Sequence, residues 1–168
     1  MNLLDRLLGH DVWTTGRLLA QARALSEEQL DQPFELGWRT VRATLEHIVD
    51  NMETWTDLMS GVPPREQPGG PVTLDEVAQG LNVVGPQLAA FARRMQAEGR
   101  LDDTWVDVLD VPPRRKTYGG GIAHVITHSM HHRAQLIHML RALGVPHVEE
   151  GGVLGWEAQV ADHSRAAP

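Results

Sequence analysis

Gly119-Gly120-Gly121-Ile122-Ala123-His124-Val125-Ile126-Thr127-His128-Ser129-Met130-His131-His132-Arg133-Ala134-Gln135-Leu136-Ile137-His138-Met139-Leu140 is the stretch whose reading decides the fold. It carries five of the chain's nine histidines. Ile122, Val125, Ile126, Leu136, Leu140 and Leu143 recur at spacings of three, four, seven or their sums, as one helical stripe requires. A strand would bring His128, Met130 and His132 together and break that stripe. The segment therefore reads as a helix that ends near Gly144, ahead of Pro146. On it His124, His128 and His132 stand four apart, one above the other. His132 projects into the apolar sector and His128 lies at its edge, whereas His131 and His138 turn to the polar flank. Burying two imidazoles side by side demands a partner for each. A metal ion supplies both at once, since neutral imidazole is the commonest side-chain ligand and two at i and i+4 clamp one ion.

Three more helices precede this one. Residues 1–25 form the first, with Leu3, Leu4, Leu7, Leu8, Val12, Leu18 and Leu19 at helical spacings and Trp13 expected in the same face. Ser26-Glu27-Glu28-Gln29 is a capping box for a short turn that stops before Pro33. Pro33 to Trp38 is a connector. Thr40 opens the second long helix, to about Gly61, with Val41, Leu45, Ile48, Met52, Trp55 and Met59 as its stripe. His47 sits one step beside that stripe, Asn51 lies above it, and Glu46, Asp50, Glu53 and Asp57 are expected on the outer face. Gly61 to Pro71, with Pro63, Pro64, Pro68, Gly69 and Gly70, is a long connection. Thr73 caps the third helix, to about Glu98, whose stripe is Val77, Leu81, Val84, Leu88, Phe91 and Met95. Gly85 and Pro86 predict a bend in it.

Between Gly99 and Tyr118 lies a second long connection. Within it Trp105 to Leu109 alternates as an extended segment does, and Arg114-Arg115-Lys116 is the one basic run, either solvated or facing an anionic ligand. The glycines at 119–121 read as a flexible joint, or as a place where a ligand nears free helix amides. Residues 147–168 read as a tail, partly ordered or an interface arm, appended to a 1–146 domain. Four amphipathic helices on long connections fit an all-α, four-helix bundle, whose sites form from side chains on facing helices.

Composition narrows the chemistry. At 168 residues one domain with a proper core is the simplest organisation. No apolar run approaches the ~20 residues of a membrane span. The first residues lack a secretory pattern, which predicts a cytoplasmic protein. A net charge of −7 argues against nucleic acid as a partner. With no cysteine, the chain has no disulfide, thiolate ligand or cysteine nucleophile. Any metal is held by His, Asp, Glu or backbone oxygen, and any thiol chemistry needs a thiol from outside.

His47, the only histidine on the second helix, is the best third ligand for the pair His128 and His132. If those helices are neighbours, the three imidazoles converge. Such a set leaves metal positions open, as catalytic rather than structural sites do. Softness admits zinc, nickel, copper or iron there.

His124 to Leu136, followed by Leu140-Arg141-Ala142-Leu143-Gly144-Val145-Pro146, closely resembles the last helix of the DinB-like (DNA-damage-inducible, YfiT-like) superfamily. Thr44 to Glu53 resembles its second helix. The resemblance implies an up-down-down-up bundle with long crossovers and a divalent metal, zinc or nickel foremost, on His47, His128 and His132. It also implies a homodimer, and thiol-dependent S-transferases or isomerases that use a low-molecular-mass thiol on an electrophilic small molecule. His124 would stand behind the ligands rather than among them. Gln135 and Asn51 are candidates to position substrate, and Glu53 is a candidate base. The alternatives are a hydrolase that activates water on the metal and a non-enzymatic, stress-induced metal-binding module.

Overall fold

The computed structural model describes residues 1–66, 69–149 and 151–166, the last four by backbone alone. Its helices begin where the sequence supplies caps. Asn2 accepts from the Asp5 amide at the start of α1 (Leu3–Ala22). Ser26 and Gln29 form the expected capping box of α2 (Glu27–Leu30). Thr40 caps α3 (Val41–Met59), and Thr73 with Glu76 caps α4 (Leu74–Ala97). α5 (Tyr118–Ala142) starts at Thr117, whose hydroxyl accepts from the Gly120 amide. Such caps satisfy amides that have no partner inside the helix, each worth about 1 kcal/mol. α5 stops at Gly144, whose φ of +81° allows the Val145 amide to reach back to the Leu140 carbonyl.

Side-chain burial brings the long helices together. α1 packs against α4 and α5, and α3 packs against the same two. Leu18, Leu45, Ile48, Met52, Leu88, Leu136, Met139 and Leu140 are wholly buried among them. Each such side chain contributes roughly 1.5–3 kcal/mol when taken from water. Small residues set the approach of the helices. A Cβ on Gly85 would come within 2.8 Å of Val12, and one on Gly121 within 2.6 Å of the Met59 sulfur. A buried ion pair crosses this interior: the Arg133 guanidinium of α5 donates to the Asp11 carboxylate of α1, both side chains being almost fully enclosed. The same guanidinium reaches the Thr15 hydroxyl at 3.3 Å.

Several expectations need amending. The fold is mostly helical but not purely so, since Thr104–Asp107 (β1) and Arg114–Thr117 (β2) pair as an antiparallel hairpin. The alternating Trp105 signal was the visible half of it. Its partner is the basic run, where Lys116 is held by Asp107 and Asp110 and therefore offers no spare charge to an anion. The glycines at 119–121 are not a joint ahead of the helix, and the Gly119 and Gly120 amides already donate to the Leu101 carbonyl and the Thr117 hydroxyl. They form the first turn of α5, where Gly119 and Gly121 admit Leu101 and Met59 at close range. Trp13 lies outside the core, with Arg17 over its ring at 5.8 Å. The supposed outer face of α3 is covered: Asp57 is buried, and Arg65 bridges Asp57 and Glu53 at 2.8 and 3.1 Å. Pro68, part of the same connection, lies outside the described residues.

The segment beyond 146 holds a sixth helix, α6 (Val153–Ala166). Trp156 is buried against Gly9 of α1, where a Cβ would stand 2.6 Å from its ring. Glu150 and residues 167–168 lie outside the described residues. Among the described residues no helix is long and apolar enough to cross a membrane.

Removing one partner of a buried ion pair strands the other charge, at a cost of about 3–5 kcal/mol. Asp11→Ala should therefore lower the unfolding free energy in urea by about that amount. The paired change Asp11→Leu with Arg133→Met should recover most of it. Equal stability of Asp11→Ala and the parent would show that this pair does not anchor α1 to α5.

Candidate metal centre

α3 and α5 run antiparallel where they meet. His47 faces His128, Trp55 faces His124, and Met59 faces Gly121. That register brings together the three histidines singled out from the sequence. The Nε2 atoms of His47 and His128 are 3.1 Å apart. The ring centroids of His132 lie 4.7 Å from His47 and 4.4 Å from His128. One ligating atom from each ring can be chosen so that no two are more than 4.8 Å apart. Bonds of about 2.0–2.1 Å at tetrahedral angles place ligand nitrogens about 3.3 Å apart. One edge already has that length, and the widest separation exceeds it by at most ~1.5 Å, within reach of a small ring rotation. Three neutral imidazoles are also a donor set that divalent zinc and nickel accept. The residues fit a metal ion.

The rings are placed for this by helical periodicity. His132 is buried, His128 and His47 are half-buried, and His124 and His131 are exposed. Burial keeps the inner rings uncharged. Desolvation, with His132 nearby, pulls His47 down to about 4. Desolvation and the neighbouring imidazoles do the same to His128, also to about 4. His132 is lowered by burial too, against the opposing pull of Gln135. Neutral rings have lone pairs free to coordinate, so protons compete little with a metal near neutrality.

Gln135 is tied to two histidines, His132 of the convergent group and His131. Its amide oxygen accepts from His132 Nδ1 at 2.9 Å, and its amide nitrogen donates to His131 Nε2 at 2.9 Å. The first bond puts the His132 proton on Nδ1 and leaves Nε2 free, as ligating histidines need. Asn51 lies one turn beyond His47 on α3, and its Oδ1 is buried without a partner, as is His128 Nδ1. His124 is not one of the convergent set. Its ring lies against Trp55 at 4.6 Å and against His128 at 5.3 Å. Glu53 is elsewhere: with Glu46, Asp50, Glu66 and Glu76 it lines a cavity of about 220 Å³ that no histidine borders. In that cavity burial and the Glu46 and Glu53 carboxylates push Asp50 up to about 6.

One neighbour escaped the sequence reading. Trp38 stacks on His47, ring centroids 4.2 Å apart and planes at 29°. Its only trace in sequence was its place in the connector two residues before the Thr40 cap. Helical periodicity gives no side-chain direction for a connector.

A family model described as the DinB family matches residues 1–154. The chain belongs to the DinB family. A search of curated proteins finds no match. The match runs past residue 146 and takes in the segment that joins α5 to α6, so the DinB region extends beyond the four long helices. Within it the three-histidine group is compatible with metal binding by this DinB chain.

Two measurements test the centre. In metal-free protein the imidazole rings of His47 and His128 should stay neutral at about pH 5.5, roughly a unit below the ordinary imidazole value of about 6.5. Unfolded chain binds those protons and folded chain does not. Metal-free stability should therefore fall as pH drops from about 6.5 toward 4. Ring nitrogen NMR reads the first effect and urea titration the second; protonation of both rings near pH 6.5 would refute the burial argument. Separately, purified protein loaded with zinc should hold about one ion per chain, and His47→Ala almost none.

Proposed function

We propose that this DinB chain is a divalent-metal-dependent S-transferase, which joins an external low-molecular-mass thiol to an electrophilic small molecule. The observation that carries the reading is the convergence of His47, His128 and His132 from two helices far apart in sequence, in a chain without cysteine. A divalent ion bound there, zinc or nickel, supplies a Lewis-acid centre that lowers the pKa of a thiol or water it takes up.

The chain's own residues do the remainder. His47 and His128 stay uncharged near neutral pH and present nitrogen lone pairs. Gln135 holds His132 in the tautomer with Nε2 open. Asn51 offers a buried amide oxygen that lacks a donor, suited to a substrate N–H or O–H. The absence of cysteine makes the nucleophilic sulfur an import. In the net reaction the thiol S–H is replaced by an S–C bond, the bond from that carbon to its leaving group breaks with the electron pair leaving, and the proton passes to water.

The bundle order proposed is up-down-down-up. The antiparallel meetings of α3 with α5 and of α1 with α4, through Asp5 and Arg93 and through Val12 and Gly85, support it. A cytoplasmic homodimer acting on small molecules, not on nucleic acid, completes the proposal; the net charge of −7 supports the last point.

Zinc- or nickel-loaded protein, a panel of small thiols and a chlorodinitrobenzene test it. A thiol-dependent rate above the uncatalysed one is expected, falling at least about ten-fold in His128→Ala, since even residues behind metal ligands cost that much. Identical rates for parent and variant with every thiol would end the transferase reading. Metal-dependent ester cleavage without thiol would replace it with a hydrolase.

A further inference from the structure

The segment between α2 and α3 makes two contacts with the histidine group, and core burial explains neither. Trp38 stacks on His47 at 4.2 Å yet remains 51% exposed. Among the described residues it has no other ring or cation partner. Beside it, Gly37 holds a φ of +50° and approaches Gln135 so closely that a Cβ would stand 2.1 Å from Oε1 and 2.8 Å from Cδ. That same Oε1 accepts from His132 Nδ1. Arg39, on the other side of Trp38, has a φ of +69°. The two turn positions flanking this tryptophan thus occupy the left-handed region, and one of them is not glycine. L side chains adopt that region at a cost, and such positions gather where function needs a particular geometry.

The turn is firmly closed. The Phe34 amide donates to the Arg39 carbonyl at 2.6 Å, the Arg39 amide to Leu36 at 2.9 Å and the Thr40 amide to Trp38 at 2.8 Å. Thr40 in turn caps α3, the helix that carries His47. Backbone geometry from residue 34 onward therefore fixes the indole over one imidazole and the Gly37 backbone over the amide that orients another.

We propose that the Gly37–Trp38 turn is a strap that positions the metal centre from outside the helices, holding Gln135 on His132 and stacking on His47, so that metal affinity depends on a loop remote in sequence from α5. This rests on the reading of the three histidines as ligands. Gly37, Trp38 and Gln135 are positioning residues, since none contributes an atom to the metal.

Zinc affinity, measured by competition with a chromophoric chelator, tests the strap, with the visible spectrum of the cobalt-loaded protein as a second readout. Gln135→Ala should weaken zinc binding about ten- to a hundred-fold, the usual effect of losing a ligand's hydrogen-bond partner. Gly37→Ala should weaken it comparably, because the added methyl displaces the Gln135 amide. The double variant should bind no more weakly than Gly37→Ala, because the amide can be lost only once. Trp38→Ala should weaken zinc binding several-fold and alter the cobalt spectrum, and Trp38→Phe should restore both. Should Gly37→Ala fail to fold, the tryptophan pair decides the question, since that ring is half exposed. Parent-like zinc affinity in Gly37→Ala and Trp38→Ala overturns the strap, as do losses that multiply in the double variant. Zinc uptake that needs the strap, without any thiol-dependent rate, would leave it standing and remove only the transferase. No zinc uptake by the parent protein removes both.

Discussion

The structure depends on the antiparallel seam between α3 and α5. It is closed by apolar side chains and by the absence of them. Met59 lies against Gly121 at one end, while Ile48, Met52, Val125 and Leu136 are buried along it. Because the seam is close-packed, its register has little freedom. That register sets His47 against His128 and His132. A shift of α5 by one residue would turn its histidines about 100° away from α3. The site is therefore a consequence of core packing before it is a matter of ligand chemistry.

Polar groups on the opposite side of α5 reinforce the same register. Arg133 directly follows His132 and points the other way, into the Asp11 carboxylate of α1. Ser129, next to His128, is likewise buried. One helix thus carries two polar stripes, imidazoles toward α3 and a guanidinium toward α1, with leucine and methionine between them. Such a helix has little overall amphipathicity, yet every face has a destination.

The mostly helical class, the starts of α2, α3 and α4 and the side of its helix on which each candidate histidine lies were legible because each rests on local rules. Ser26, Thr40 and Thr73 satisfy amides within three residues of themselves, and periodicity fixes which side of a helix a residue occupies. What could not be read was pairing at a distance. The acidic residues of α3 looked solvent-facing because nothing local announced that Arg65 would reach back to Glu53 and Asp57. The basic run looked like loose loop because its strand partner lies ten residues upstream. The segment after 146 looked formless because its anchors lie nearly the whole chain away on α1: Trp156 needs the notch at Gly9, and Glu149 and Glu157 pair with Arg17 and Arg6.

By itself, then, the sequence determined a helical protein with stacked histidines on its last long helix, one histidine beside the stripe of another, and no sulfur nucleophile. Spacing along a helix is a local property, so it survives any arrangement of the helices. Tertiary structure alone decided that Gln135 serves His132, that Glu53 faces Arg65 rather than the histidines, and that Trp38 covers His47. Each of those outcomes turns on which surfaces meet, and that is settled by the collective packing of the core rather than by any run of neighbouring residues.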